Sequence, residues 1–295
     1  MKNLNEAQVE RLIRISKEKP LLPETFVPWA DFPTAETIFL PEKLISLYGD
    51  SLFDTLTAEQ KKELGRLEVI QVMYSYGWSE GLACLFFNRH LLTIDPQSAE
   101  ARFLIRELIE EFRHQEMFTM AVKAMDGTPI PPTGWHKFLG LVTAKYLPSS
   151  LVFMSVLAIE HMADSYAKHL RKDERVYSVL RKCSELHHIE EGRHIFYTEM
   201  WLNKFTEKAN FFMRTIFSLV MMTNIYFMRT LYVKRSFFER LGVVDADIYY
   251  KAARKRFKTN LADNCLAESV EFVRGFNGFN FITRPLWRSI LGVNI

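Results

Sequence analysis

Two copies of the motif Glu-Glu-x-Arg-His, at residues 110–114 and 190–194, lie 80 residues apart in this chain. A single glutamate stands 31 residues before the second glutamate of each copy, and these two residues, Glu80 and Glu160, are again 80 residues apart. Both lie in strongly apolar stretches, where a buried carboxylate without a partner costs several kcal/mol. A buried Arg or Lys, or a wet helix edge, would explain one such glutamate. Two of them, matched in spacing to two motifs, require a fold that brings all four segments together.

The distribution of proline indicates long helices. No proline occurs between residues 149 and 284, and a proline inside a helix costs about 3 kcal/mol. The segment 126–134, DGTPIPPTG, is the clearest loop. The spacing of apolar residues predicts five long helices and then three shorter ones, at 58–92, 98–125, 148–171, 173–204, 207–233, 235–241, 246–258 and 262–274. No alternating strand pattern of useful length occurs, so the predicted class is all-α with a four-helix bundle.

The spacing within each motif predicts a metal site. Glutamate and histidine at positions i and i+3 lie on one face of a helix. Two helices that each give a glutamate, and two that each give Glu-x-x-His, provide the ligand set of a carboxylate-bridged di-iron site. One Glu-x-x-His occurs often by chance, whereas the paired arrangement is specific. The predicted ligands from this pattern are Glu80, Glu111, His114, Glu160, Glu191 and His194.

The second motif adds a seventh candidate ligand. His187, Glu191 and His194 are spaced i, i+4 and i+7, which places them on a helical stripe about 60° wide. The equivalent position in the first half is Glu107, so we expect one iron to have two histidines and the other only one. His188 points about 100° away from His187, and we expect it to be a surface or packing residue.

The charge and chemistry of this set favour iron or manganese. Four carboxylates balance the four positive charges of two ferrous ions, which allows the site to lie in an apolar core. Oxygen ligands mixed with imidazole suit Fe or Mn, and the absence of thiolate argues against structural zinc. We expect Glu110 and Glu190 to accept hydrogen bonds from the ligating histidines, with Arg113 and Arg193 balancing their charge. The alternative for these four residues is a solvated helix face with i, i+3 pairs.

The residues resemble those of a known family. Glu-Glu-x-Arg-His, present twice, resembles the signature of ferritin-like di-iron oxygenases and desaturases. The stripe of His187, Glu191 and His194, with Glu160 upstream, is similar to that of the p-aminobenzoate N-oxygenase (AurF-like) family over about residues 57–205. The resemblance implies a ferritin-like bundle that holds two irons on four glutamates and three histidines. It also implies O2 as co-substrate, a peroxo-type di-iron intermediate, and oxidation of an aryl amine toward hydroxylamine and nitro products.

We therefore interpret the chain as a di-iron monooxygenase that acts on an amine. Its substrate would be a small molecule or carrier-bound, and its electrons would come from a ferredoxin or reductase, because the sequence has no GxGxxG motif. A homodimer is expected. The alternatives are a di-iron hydroxylase or desaturase acting on an apolar or acyl substrate, and a ferritin-like ferroxidase. A metal-free helical module would leave Glu80 and Glu160 unexplained.

Composition sets the remaining expectations. The net charge of +3 is too small to indicate nucleic-acid binding. The cysteines, Cys84, Cys183 and Cys265, have no CxxC spacing and fit a reducing cytoplasm. The N-terminus has no apolar signal region. The apolar segment 215–228 is shorter than the ~20 residues of a membrane span, so we expect a core helix there.

We expect a single domain over residues 1–295. It would have a core bundle at about 57–233, an N-terminal arm at 1–56 and C-terminal helices at 234–295. The basic run 250–260 is either a docking surface for an acidic partner or, as we favour, a solvated helix face.

Overall fold

The computed structural model describes residues 5–295, so the first four residues of the predicted N-terminal arm lie outside the described range. Within that range the chain has no β-strand, only an isolated bridge between Ile38 and Val176. The predicted all-α class is therefore confirmed. The α-helices are α1 Glu6–Glu18, α2 Pro23–Phe26, α3 Ser51–Asp54, α4 Ala58–Leu91, α5 Ala99–Ala124, α6 Gly134–Tyr146, α7 Ser149–Lys172, α8 Ser178–Thr206, α9 Phe211–Tyr232, α10 Arg235–Arg240, α11 Ala246–Cys265, α12 Ala267–Gly275 and α13 Thr283–Leu286. A short 3-10 turn, Glu42–Leu44, precedes α3, and a π-helical turn, Trp287–Leu291, follows α13.

Four long helices form the central bundle. Helix α4 packs along α5, α7 packs along α8, and the two pairs face each other through α5 against α8 and α4 against α7. Helix α9 covers α7 and α4, and α1 lies across α5. One hydrophobic cluster runs through these elements, from Val9 near the N-terminus to Val293 near the C-terminus. This arrangement turns one face of each bundle helix toward a common interior.

The structure contains five α-helices that the sequence did not predict, which are the short α2, α3 and α13 and the longer α1 and α6. Helix α1 lies in the charged N-terminal arm, where Val9, Leu12, Ile13 and Ser16 form a buried stripe against α5. Helix α6 begins at Gly134, the last residue of the predicted loop, with Thr133 as its N-cap. The predicted break at 259–261 was wrong, because α11 continues to Cys265 and α12 starts two residues later. No proline or glycine stands in 259–261 to end the helix.

The basic run at 250–260 makes contacts within the chain. Within the basic run, Arg256 donates to the Tyr48 carbonyl at 2.9 Å and Lys258 donates to the Ser289 carbonyl at 3.2 Å, so part of the run connects distant chain segments.

In the described chain, the stretch Phe211–Arg240 is long and apolar enough by composition to cross a membrane, and 39% of its most apolar part is buried. The assignment of 215–228 to a core helix therefore stays a prediction.

A carboxyl outside the bundle centre is buried against the N-terminal arm. Glu68 of α4 is 3% exposed and accepts hydrogen bonds from the backbone N–H of Ser46, at 2.8 Å, and from the Ser46 hydroxyl. Burial raises the pKa of Glu68 to about 7, although the two Ser46 bonds oppose the rise. The folded protein therefore holds this proton over a pH range in which the unfolded chain releases it.

We predict that Glu68→Gln removes part of the pH dependence of stability. In the parent, the contribution of Glu68 is fully present below its ordinary pKa of 4.5 and is lost as the pH rises through about 7. The neutral amide can keep both Ser46 contacts, so above neutral pH the variant should be more stable by up to about 3 kcal/mol. Urea unfolding of chelator-treated protein across this pH range measures the difference. The exposed Glu59→Gln is the control, and equal pH slopes for all three proteins would contradict the prediction.

Candidate metal centre

The bundle helices bring all seven predicted ligands to one interior position. Helix α4 contributes Glu80, whose side chain is 11% exposed, and α7 contributes Glu160, which is buried. The other five, from α5 and α8, are also buried, and they are Glu111, His114, His187, Glu191 and His194. On each helix, the candidate ligands spaced i, i+3 or i, i+4 lie close together because they occupy the inward face of that helix.

The ligand atoms form two neighbouring groups. Within each group, all candidate ligand atoms lie within 4.8 Å of one another. The first group consists of Glu80, His114, His187 and Glu191, and the second of Glu107, Glu111 and His194. A third set, Glu111, Glu160 and Glu191, satisfies the same limit and connects the two groups. The arrangement can hold two metal ions that share carboxylates.

Glu111 and Glu191 occupy the shared position. One oxygen of Glu111 lies 3.4 Å from His114 Nδ1, and the other lies 3.2 Å from His194 Nδ1. Glu191 Oε1 is 3.4 Å from each of these two nitrogens and 3.3 Å from His187 Nε2. A carboxylate that reaches two imidazoles in this way can bridge two ions.

The outer hydrogen bonds cross between the two motifs. His114 Nε2 donates to Glu190 at 2.9 Å, and His194 Nε2 donates to Glu110 at 2.8 Å. A proton on Nε2 leaves the Nδ1 lone pair free, and in both rings Nδ1 faces the centre of the bundle. The acceptor glutamate of each motif thus orients the histidine of the other motif.

Two arginines and a serine complete this outer layer. Arg193 contacts Glu110 at 3.0 Å, and Arg113 contacts Glu190 at 3.3 Å. Ser16 of α1 donates to Glu110 at 2.5 Å, a contact that the sequence did not predict. Burial raises the pKa of Glu110, but the His194 bond, Arg193 and Ser16 outweigh it and lower the pKa to about 2. Glu110 is therefore a charged acceptor.

Unpaired buried atoms show that the interior fits metal ions. Among the described residues, both carboxylate oxygens of Glu107 and of Glu160 are buried without a hydrogen-bond partner. The same holds for one oxygen each of Glu80, Glu111 and Glu191, and for Nδ1 of His114 and His194. Native proteins rarely leave buried polar atoms unpaired, and these all point toward one interior. Oxygen and imidazole donors at this density suit Fe or Mn.

The protein alone does not keep all of these groups charged. Burial, with the neighbouring carboxylates, raises the pKa of Glu80 and of Glu160 well above the ordinary value. Burial and then the proximity of His114 lower the pKa of His187 well below its usual value, so this imidazole is neutral. A metal ion would bind directly to this neutral imidazole, and it would replace the protons on these carboxylates.

Glu107 lies in the centre, although it was not among the ligands predicted from the sequence. It is fully buried, it lies in the second group, and it stands 80 residues before His187. The offset that pairs the other ligands therefore also pairs Glu107 with His187, and this was the available signal. With Glu107 the cluster has five carboxylates, so either this carboxyl holds a proton or the ions carry a total charge above four.

His188 lies outside the centre. Its Nδ1 contacts Asp164, which also pairs with Lys168 at 2.8 Å. In the groups of possible metal ligands among residues 5–295, His188 does not occur. The adjacent histidines therefore have different environments, which makes His188 a matched control for His187.

We predict that Glu107→Gln weakens the binding of one metal ion. The amide keeps the size of the side chain but cannot form a charged carboxylate donor beside His194, so the affinity for that ion should fall by about tenfold or more. The other ion, next to His187, should bind as in the parent. Metal analysis after dialysis against graded chelator measures both affinities, with the exposed Glu116→Gln as control. Two ions retained with parental affinity would show that Glu107 is only a buried acid.

Comparison with solved structures found matches at low sequence identity. An R2-like ligand-binding oxidase with an aerobically reconstituted Mn/Fe cofactor matches with a TM-score of 0.49 and 13% identity, over 86% of this chain and 92% of that chain. The anaerobically reconstituted form of an R2-like ligand-binding oxidase matches with the same TM-score and 14% identity, over 86% and 92% of the two chains. No curated protein sequence matches the chain.

A family match covers almost the entire sequence. Residues 2–276 match the family described as P-aminobenzoate N-oxygenase AurF. This range contains every residue of the two ligand groups and all four helices of the bundle. The chain therefore belongs to the AurF family of p-aminobenzoate N-oxygenases, and it is a di-metal oxidoreductase.

Proposed function

We propose that this protein oxidises the nitrogen of an uncharged aryl amine with O2, at a centre of two iron ions for which manganese can substitute. The observation that carries the proposal is an apolar cavity that ends at the ligands Glu80, Glu160, His187 and Glu191. Family membership supports amine oxidation. An external ferredoxin or reductase, homodimerisation and a cytoplasmic location also remain proposals.

The size of the cavity suits a single aromatic ring. Its volume is about 190 Å³, and an apolar cavity of about 150 Å³ can hold benzene. Helices α4, α6, α7 and α9 form its walls, with side chains such as Tyr76, Trp78, Val156, Ile159 and Phe227. An aromatic amine that binds with its nitrogen at the inner end of the cavity would place that nitrogen next to the ligand groups.

The charges around the cavity favour a substrate without a carboxylate. No lysine or arginine occurs among the described residues that line it. A carboxylate substituent would be buried without a cation, which costs several kcal/mol. Its only charged neighbours in the protein would be the glutamates of the centre. The uncharged polar groups include Ser155 and Asn224, and Asn224 Nδ2 donates to Ser155 Oγ at 3.0 Å.

The protein residues have separable tasks. When bound, the metal ions would activate O2, and each oxygen insertion would consume two electrons from the external donor and release one water. Glu110 and Glu190 hold the histidine rings with Nδ1 inward. Glu160 lines the cavity with both oxygens unpaired, so it would hold a metal ion at the inner end of the cavity. The apolar walls limit the access of water to the reacting nitrogen.

A second candidate function is oxidation of a C–H bond in an apolar substrate. The aliphatic part of the wall, including Leu82, Val152 and Val156, favours it, because these side chains offer no group that recognises an amine. The two functions predict different products from one substrate. An alkyl-substituted aniline would give hydroxylamine and nitro products in the first case and an alcohol in the second.

We predict a preference for uncharged aryl amines over p-aminobenzoate. Iron is loaded anaerobically, O2 and a reductant are added, and aniline, p-toluidine, p-aminobenzamide and p-aminobenzoate are compared by mass spectrometry. The uncharged amines should be N-oxidised with kcat/KM higher by about hundredfold, since the carboxylate loses its hydration without gaining a partner. Alcohol products from p-toluidine would favour the second function, and preferred oxidation of p-aminobenzoate would contradict the charge argument.

A substitution at the rim of the cavity tests the same point. Thr223 lines the cavity and is exposed at the surface, so Thr223→Arg introduces a cation without filling the core. The ratio of kcat/KM for p-aminobenzoate to that for p-aminobenzamide should rise by about tenfold. Thr223→Met is the control of similar length without charge, and it should leave the ratio unchanged.

We predict different effects for the two adjacent histidines. His187→Ala should keep the helical circular dichroism and much of the metal, because the other ligands remain, but it should abolish most amine oxidation. His188→Ala should retain oxidation, since His188 contacts Asp164 and not the ligand groups. Parental turnover in His187→Ala would show that this imidazole is only a packed core residue.

A further inference from the structure

Helix α6 presents its large apolar side chains to solvent. Trp135, Phe138 and Tyr146 are 64%, 56% and 77% exposed, and Leu141 is 42% exposed. The buried residues of the helix are the small Gly140 and Ala144. An amphipathic surface helix normally turns its apolar face inward, so α6 has the reverse arrangement. The indole of Trp135 and the ring of Phe138 stack at 5.8 Å and form a continuous apolar patch.

The chain segments that contain α6 and α9 have no acidic residues. No aspartate or glutamate occurs in residues 127–159, which contain α6, or in residues 208–238, which contain α9. On α6, Lys137 and Lys145 are exposed, and neither pairs with a carboxylate among the described residues. The exposed face of α6 therefore combines aromatic side chains with unneutralised lysines.

The helix that carries this exposed face also borders the cavity. Leu139, Gly140 and Thr143 of α6 form one side of the cavity, and Thr223 and Phe227 of α9 form another. Thr223 is exposed, so the cavity reaches the surface beside α6. Among the described elements α6 packs mainly on α4. A substrate that enters beside Thr223 would therefore pass next to α6.

We propose that the exposed face of α6 docks on an anionic lipid surface, from which an apolar, uncharged substrate enters the cavity. Aromatic and aliphatic side chains with flanking lysines are the composition of helices that lie in the interface plane of a bilayer. The aromatic rings enter the headgroup boundary and the lysines contact anionic headgroups. This inference concerns the surface of the protein and does not depend on which bond of the substrate is oxidised.

Other occupants fit the surface less well. A second copy of α6 would bring Lys137 and Lys145 of both chains together without any carboxylate from the helix. An acidic protein would neutralise the lysines but would also need an apolar groove for Trp135, Phe138 and Tyr146. An anionic bilayer meets both requirements at once.

The test is sedimentation of the metal-loaded, full-length protein with vesicles. We expect binding to vesicles of phosphatidylcholine and phosphatidylglycerol in equal parts, and much weaker binding to phosphatidylcholine alone. The double variant Trp135→Ser, Phe138→Ser should bind about tenfold more weakly or worse. The double variant Lys137→Gln, Lys145→Gln should lose about tenfold and should become insensitive to added salt.

Matched controls separate docking from misfolding. Ile109→Ser with Phe112→Ser removes two apolar side chains of α5 that are 43% and 57% exposed on another face, and this variant should bind as the parent does. Circular dichroism and oxidation of a water-soluble amine should be unchanged in all three double variants. The proposal is wrong if the parent stays in solution with both vesicle types, or if the α5 variant loses as much binding as the α6 variant. A dimer that dissociates in the α6 variant would instead assign this surface to a second copy.

Discussion

The burial of carboxylates inside an apolar bundle is the constraint on which the rest of this structure depends. Five glutamates converge between α4, α5, α7 and α8, and several of their oxygens have no partner in the described protein. Burial raises the pKa of Glu80, Glu107 and Glu160 well above the ordinary value, so the metal-free interior must take up protons. Two metal ions would supply the missing positive charge, and the bundle is the scaffold that brings it to all five groups.

The outer layer follows from the same constraint. Because the ligating histidines use Nδ1 toward the interior, their Nε2 protons need acceptors, and each finds one on the opposite motif helix. Glu110 and Glu190 are themselves buried, so they need the cations of Arg113 and Arg193. Ser16 extends this network to the N-terminal helix α1. Each buried charged group is thus neutralised by a group farther from the centre. The packing of α5, α8 and α1 therefore affects the orientation of the ligands.

Access to the centre depends on small residues rather than on charges. A Cβ atom on Gly140 would lie 2.5 Å from Leu82 Cδ1 and 3.2 Å from the Trp78 ring, so a larger residue there would require both side chains to shift. Close packing of the small face leaves Trp135 and Phe138 on the outside of the helix that borders the cavity. The close contact of α6 with α4 therefore completes the cavity wall and also leaves the aromatic side chains of α6 on the surface.

The sequence by itself determined the helical class, the long bundle helices and the residues that meet in the interior, because period, spacing and unpaired charge are local properties of the chain. The repeated offset of 80 residues located the seven predicted ligands, and it also pointed to Glu107, which was passed over because it replaces a histidine. Only the tertiary structure decided which candidate ligands lie in the same group, that Glu110 accepts from His194 and Glu190 from His114, and that Ser16 belongs to the network. The outward face of α6 was likewise invisible in the sequence. These relations join residues on different helices, and distances between helices depend on packing, which no local pattern encodes.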